Sequence, residues 1–185
     1  YLLAREGHSV VLLEDGPIGG GATGRTTAHI SSGLDDGYRE YEKRHGLEGA
    51  RIAAQSATAA VDLIERIAVE EGIHCDFARV DGYLFNPPGK ASDILDRELE
   101  AAHRAGFTSV ERLARAPIED FDSGVCLRFP NQGQFHPLRY LAGLEKAIAR
   151  HGGRIHCHTR AQRIEGGANA HVETADGRRV SAGAV

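Results

Sequence analysis

From Ser9 to Glu14 the chain reads Ser-Val-Val-Leu-Leu-Glu, an unbroken apolar stretch closed by an acid. A β-branched and aliphatic run with no polar alternation predicts a strand buried on both faces of a parallel sheet. Ahead of it, Tyr1-Leu2-Leu3-Ala4-Arg5-Glu6-Gly7 predicts the last turns of a helix, with Gly7 where a left-handed terminating residue is wanted. Helix, glycine and buried strand make the second half of a β-α-β unit. A glycine-dense loop, Asp15 to Gly24, comes next. Asp35 to Gly72 is predicted to be mostly helical, because Ile52, Ala53, Ser56, Ala59, Ala60, Leu63, Ile64, Ile67 and Ala68 recur at helical spacing.

Cys75 to Phe85 switches to strand character, and Asp81-Gly82 predicts a turn leading into a second short strand, Gly82 to Phe85. Pro87-Pro88-Gly89 breaks it, and Ala91 to Gly106 returns to a helix with Ile94, Leu95, Leu99, Ala102 and His103 on one side. Val125 to Phe129 predicts a strand. Pro137 starts a helix that runs to about Arg150 and closes at Gly152-Gly153. Arg154 to Cys157 and Ala161 to Ile164 predict short strands, and His171 to Thr174 with Arg178 to Ala182 predicts a hairpin through Asp176-Gly177. The fold class is α/β: a partial Rossmann-type domain with an inserted α+β segment. Residues 1–80 are expected to form the first domain with its helical insertion, 81–136 the inserted segment, and 137–185 a return to the first domain.

Composition narrows this picture. Hydrophobic residues at 41% and charged residues at 26% are the balance of a globular chain rather than a disordered one. A net charge of -4 offers no concentrated basic surface, so nucleic acid is not an expected partner. No apolar run approaches the roughly 20 residues of a membrane span, and no secretory pattern opens the chain. Three widely spaced cysteines, Cys75, Cys126 and Cys157, argue against a disulfide framework and for a reducing, cytoplasmic setting. With no methionine, a helix already under way at Tyr1 and an apolar run cut at Val185, both ends read as truncations.

Two places carry candidate chemistry. Glu14 ends the apolar strand, where a dinucleotide-binding fold puts the acid that accepts hydrogen bonds from the ribose hydroxyls. An exposed acid at a strand end is the equally weighted alternative. The loop Gly19-Gly20-Gly21-Ala22-Thr23-Gly24-Arg25-Thr26-Thr27-Ala28-His29 follows at once. Its small residues permit close backbone approach to a ligand. Gly24 to Thr27, placed just before an expected short helix, would combine amides, hydroxyls and a cation into an anion site. A flexible surface loop with a helix cap is the plainer reading. The ten histidines show no metal-ligand spacing: His156 and His158 would share a strand face but lack a third ligand, so no metal is expected. The cysteines read as buried and inert.

From Val10 to His29 the sequence resembles the second-strand acid and following loop of the D-amino-acid-oxidase-like (DAO) FAD-dependent flavoproteins. The resemblance implies that Glu14 binds the FAD ribose and that Ala22-Thr23-Gly24-Arg25 wraps the pyrophosphate toward the isoalloxazine. Thr26-Thr27-Ala28-His29 departs from the commoner Asn-Gly-Gly form and is similar to the branch fused to a C-terminal Rieske iron–sulfur domain. Gly133 to Arg139, and Thr159 to Ile164, resemble two further family passages. In the second, Ala161 stands at a valine position whose backbone meets the adenine. Thr174 to Val185 resembles the run that follows, so the likeness covers the whole chain in order.

The resemblance implies that the full-length parent is an enzyme that oxidises a C–N bond of a small amine or amino acid by hydride transfer to flavin, the fragment alone being expected to be inactive. A fused Rieske domain or another electron acceptor in a longer parent completes the turnover. It also implies that Ala22 to Ala28 lies on the cofactor side while the Asp35 to Gly72 helices lie away from it. The catalytic residues stay unknown, because family substrate contacts fall mainly beyond Val185. Tyr83 and His29 are pocket-lining candidates, with core packing the favoured role for Tyr83. A nicotinamide-dependent Rossmann dehydrogenase and a non-catalytic α/β fragment with no cofactor are the rival readings.

Overall fold

The computed structural model describes residues 1–87 and 93–185. The helix start expected at Ala91 and part of the Pro87-Pro88-Gly89 break lie outside the described residues. Contacts group the chain into two compact units: Tyr1–Thr27, Ala68–Cys75 and His136–Val185 form one, and Ala28–Ile67 with Asp76–Phe135 form the other.

In the first unit, helix α1 (Leu2–Arg5) ends as its sequence dictates. Gly7 takes φ +85°, and its amide and that of His8 donate to Ala4 and Leu3 carbonyls at 3.0 and 3.1 Å. Strand β1 (Val11–Leu13) then pairs in parallel with strand β6 (Arg154–His156), Leu12 opposite Ile155. Burial on both faces is not what β1 shows. Leu12 is 39% exposed, because the sheet of the described residues has only these two strands and leaves that side chain uncovered.

Helix α4 (Pro137–Arg150) begins with Pro137 in its first turn and with His136 Nδ1 accepting from the Arg139 amide at 3.4 Å. It ends at Gly152, φ +80°. Burial pushes the Tyr140 phenol on this helix up to about 12, with Cys75 and Tyr1 adding to the shift. Strands β7 (Ala161–Glu165), β8 (His171–Thr174) and β9 (Arg179–Ser181) form an antiparallel sheet, the expected hairpin closing the last two.

The second unit is built on strand β5 (Cys126–Gln134). One edge pairs antiparallel with strand β3 (Ala78–Phe85); the other pairs with β4 (Glu111–Leu113) near its start and with β2 (His29–Ile30) near its end. The strand predicted to stop at Phe129 therefore continues through Pro130. Proline lacks an amide to donate and is tolerated only at edges and bulges. Pro130 meets that condition: it lies between the β4 and β2 pairings, and the β3 ladder is irregular there.

The turn expected at Asp81-Gly82 does not form. Residues 78–85 stay one strand, because pairing with seven residues of β5 outweighs a local turn preference.

Helix α2 (Gly37–Glu70), interrupted by non-helical geometry at Gly46, and helix α3 (Asp93–Ala105) supply the rest of this unit's core. The buried face of α2 matches expectation at Ile67 and Ala68 and departs from it earlier in the helix. Ile52 is 56% exposed, whereas Ala50, Ala54 and Val61 are buried. Ala50 and Ala54 cluster with Ala101, Ala102 and Ala105 of α3, a match of small side chains that hydropathy ranking alone passes over. Leu127 and Tyr38 are fully buried in the same cluster.

Candidate functional site

The first unit brings together sequence-distant candidates beyond the ends of its two parallel strands. Glu14 follows β1 directly, and its amide donates to the His156 carbonyl at 3.0 Å. The Glu14 carbonyl accepts from the Thr159 amide at 2.8 Å, and that of Gly16 accepts from the His158 amide at 3.3 Å. The strand pairing thus continues as loop pairing, and it sets Glu14 beside the chain entering β7 at Ala161. Glu14 Oε1 accepts from the Gly16 amide at 3.1 Å, which fixes the half-buried carboxylate at the C-terminal end of β1. That end is where open α/β sheets bind ligands.

The loop beyond Glu14 uses its glycines in two ways. A Cβ on Gly19 would lie 2.4 Å from Leu138 Cδ2, and one on Gly24 would lie 2.7 Å from the Gly19 carbonyl oxygen. These two let the loop fold on itself against the start of α4. At Gly16 and Gly21 an added Cβ would meet nothing within 4 Å, so the surface there is open. Leu138, the support of this loop, and Thr159, whose amide donates to the Glu14 carbonyl, lie in the two passages read as family-like, but nothing in those passages pointed to these contacts.

Ala22, Thr23, Gly24 and Arg25 form an exposed 3-10 turn, and Thr26 leaves it in extended conformation. This corrects the expectation of a short helix beginning after Gly24–Thr27. The helical turn precedes Thr26, and the next element is strand β2, because residues 29 and 30 pair with β5. The amides of a following helix therefore do not contribute to an anion site. Thr27 is exposed, and Ala28, at φ +65°, opens the second unit. Arg25 is exposed and joined by no ion pair to another described residue. Ala161 is exposed at the start of β7, an outer strand of its sheet, and its partner is Thr174.

No group of three or more metal-ligating side chains occurs among the described residues. Strand β6 ends at His156, and His158 has φ +52°, so strand alternation does not reach the second histidine. Cys75 and Cys126 are buried, as expected; Cys157 is only partly so. Burial raises the Cys126 thiol pKa against a smaller opposing effect of Ser123. No helix among the described residues is long and apolar enough to cross a membrane.

Glu14 offers a fixed carboxylate at the end of β1, and the 22–27 segment that follows offers small residues, threonine hydroxyls and a cation open to solvent, the kinds of group that ribose hydroxyls and phosphates call for. Comparison with known proteins agrees. The DAO family, described as FAD dependent oxidoreductase, matches residues 1–185. YhfW of Bacillus subtilis (strain 168), whose name describes a Rieske 2Fe-2S iron–sulfur protein, is 35% identical over 174 residues, covering 94% of this chain and 34% of YhfW. Gamma-glutamylputrescine oxidoreductase of Escherichia coli (strain K12) is 28% identical over 180 residues, covering 95% of this chain and 42% of that protein. The chain therefore spans well under half the length of these curated relatives. Glycine oxidase from Geobacillus kaustophilus shares the fold, with a TM-score of 0.76 at 20% identity over 99% of this chain and 49% of its own. With the motifs, the fold and the family match in agreement over its whole length, this chain belongs to the DAO family of FAD-dependent oxidoreductases, whose cofactor is FAD.

Proposed function

We propose that this chain supplies the adenosine and pyrophosphate side of the FAD site in an enzyme that oxidises a C–N bond of a small amine or amino acid. The observation that carries the assignment is the backbone bonding of Glu14 and Gly16 to Thr159 and His158, which sets Glu14 beside the chain entering the Ala161 strand. Glu14 accepts from the ribose hydroxyls through the carboxylate that Gly16 orients. The Ala161 main chain meets the adenine, a contact that needs no particular side chain. Ala22, Thr23, Gly24 and Arg25 follow the pyrophosphate toward the flavin, with Thr26, Thr27 and Ala28 continuing that edge. Bound in this way, FAD supplies a hydride acceptor for the carbon next to the substrate nitrogen, while the protein orients the partners and excludes water.

The substrate class is supported by the relatives' names, which include an amino-acid oxidase and a putrescine-derivative oxidoreductase. Likeness to YhfW, together with Thr26-Thr27-Ala28-His29, supports a Rieske-type 2Fe-2S centre as electron acceptor. The test is the visible spectrum of the purified holoprotein. Flavin bands bleached by a small amine or amino acid under anaerobic conditions are expected. A colourless protein that takes up no FAD on titration would instead support the cofactor-free reading, and absorbance changes with a nicotinamide nucleotide alone would support the dehydrogenase.

A further inference from the structure

Strand β2 is two residues long, and its ladder with β5 ends where Ile30 faces Gly133. The next residue of β5, Gln132, takes over with its side chain. Gln132 Oε1 accepts from the Ser32 amide at 2.5 Å, from the Ser32 hydroxyl at 3.0 Å and from the Ser31 hydroxyl at 3.0 Å. Its Nε2 donates to the Pro130 carbonyl at 2.7 Å, and the Tyr38 hydroxyl donates to the Ser32 carbonyl. Ser32 and Gln132 are 3% and 5% exposed, and the amide, hydroxyl and carbonyl of Ser32 are all engaged.

The sheet is shaped to allow this. The β3–β5 register shifts between Val80 opposite Gln132 and Gly82 opposite Phe129, and Asn131 in the shifted stretch has φ +61°. Such bulges re-aim side chains. A Cβ on Gly82 would stand 3.3 Å from Gln132 Cγ, tighter than ordinary contact, so glycine leaves room for the amide's stem. Upstream the zip is continuous: the Phe135 amide donates to the Ala28 carbonyl at 3.1 Å, His29 faces Gln134, and Ile30 faces Gly133. Residues 28–32 are therefore held step by step by residues 132–135, and Ala28 is the last residue of the cofactor loop.

We propose that Gln132 is a positioning residue for the FAD site, fixing the chain that leaves the Ala22–Ala28 loop by gripping Ser31 and Ser32. The inference rests on the cofactor assignment made above. A buried amide that accepts three bonds from two adjacent serines is a rigid support of the kind a ligand-binding loop requires. If the amide served stability alone, its loss would lower the melting temperature and leave the cofactor untouched; a positioning role predicts a change at the cofactor as well.

The experiment compares Gln132→Leu with Ser123→Ala in the holoprotein and its FAD-stripped form. Ser123 is also buried in this unit, but its hydroxyl accepts from the Ala116 amide and donates to the Gly124 carbonyl, away from the Ser31–Ser32 grip. Gln132→Leu is expected to raise the FAD dissociation constant about tenfold, the equivalent of one lost hydrogen bond to a charged or buried partner, and to alter the visible circular dichroism of the flavin. Ser123→Ala is expected to leave both unchanged, even where it lowers the melting temperature as far. A folded Gln132→Leu protein with wild-type affinity and flavin dichroism overturns the proposal. If Gln132→Leu does not fold, Ser31→Ala carries the test: it removes one exposed donor to the amide, and an unaltered flavin dichroism then overturns it. Wild-type protein that takes up no FAD would be a different failure, that of the cofactor assignment itself, and would overturn both.

Discussion

The buried polar network of one unit contrasts with the exposed cofactor loop of the other. In the unit of residues 28–67 and 76–135, the buried polar side chains are bonded within the protein. Glu98 accepts from the Tyr38 and Arg39 amides at 2.5 and 3.1 Å and so caps the start of α2 from a neighbouring helix, while Gln132 satisfies Ser31 and Ser32. The exception among the described residues is Arg128 Nε, buried without a partner although the same guanidinium pairs with Asp81 and Glu111. In the other unit, Thr23, Arg25 and Thr27 are exposed, and the Glu14 carboxylate accepts from the Gly16 amide at Oε1. A buried side chain whose polar atoms are already bonded within the protein has none left over for a ligand. A region of small residues and outward-facing polar groups gains its partners when a ligand arrives.

The greatest loss is expected in the core. Leu127 is fully buried in the central strand. Leu127→Ala is expected to lower the unfolding free energy by about 2–5 kcal/mol through lost burial and the cavity left behind, measured by denaturant titration. The cofactor loop should behave in the opposite way. Glu14→Ala is expected to weaken FAD binding by about 1.5–3 kcal/mol, the range for hydrogen bonds to a charged group, with the melting point of the FAD-free protein unmoved. An unchanged dissociation constant would remove Glu14 from the site.

Arg25→Ala sharpens the contrast within the loop. A cation placed toward the flavin favours its reduced, negative form, so its loss should lower the midpoint potential. About 1.4 kcal/mol of lost stabilisation corresponds to ~30 mV for a two-electron couple. Potentiometric titration reads the shift, and weakened FAD binding at an unchanged midpoint would assign Arg25 to the pyrophosphate instead.

The smallest expected effect lies on the first unit's surface. Glu71 accepts a 2.5 Å hydrogen bond from the Tyr1 hydroxyl and pairs with Arg150. The Tyr1 bond, ahead of His151 and Arg150 and against some desolvation, holds its carboxyl below the ordinary range. Because the folded value lies below the unfolded one, the contribution is complete above about pH 4.3 and fades as the pH falls through the depressed value. Glu71→Gln should therefore flatten the acid limb of a melting-temperature profile, and a limb of unaltered slope would show that Glu71 adds nothing there.

Much of this was legible along the chain. The apolar run of Val10 to Leu13, the helical period of 35–72, Pro137 opening α4, and Gly7 and Gly152 closing helices are short-range signals. Each is set by backbone sterics or by spacing within a few residues, and each element forms, although β1 is not buried on both faces and the buried face of α2 is only in part the expected one. The family resemblance of Val10 to His29 was legible for the same reason, being a contiguous motif.

Tertiary structure decided the rest. Asp81-Gly82 carries a turn signal, yet it lies in a strand because β5 pairs along it. Hydropathy favours Ile52 for the buried face of α2, yet alanines take that place because α3 presents alanines to meet them. Glu14 was a lone acid until the Thr159 amide reached its carbonyl, and Gln132 gave no signal until Ser31 and Ser32 came within reach of its amide. A residue's own chemistry and its near neighbours determine its backbone preference. Which partner it meets depends on chain brought from far along the sequence, and no local pattern encodes that meeting.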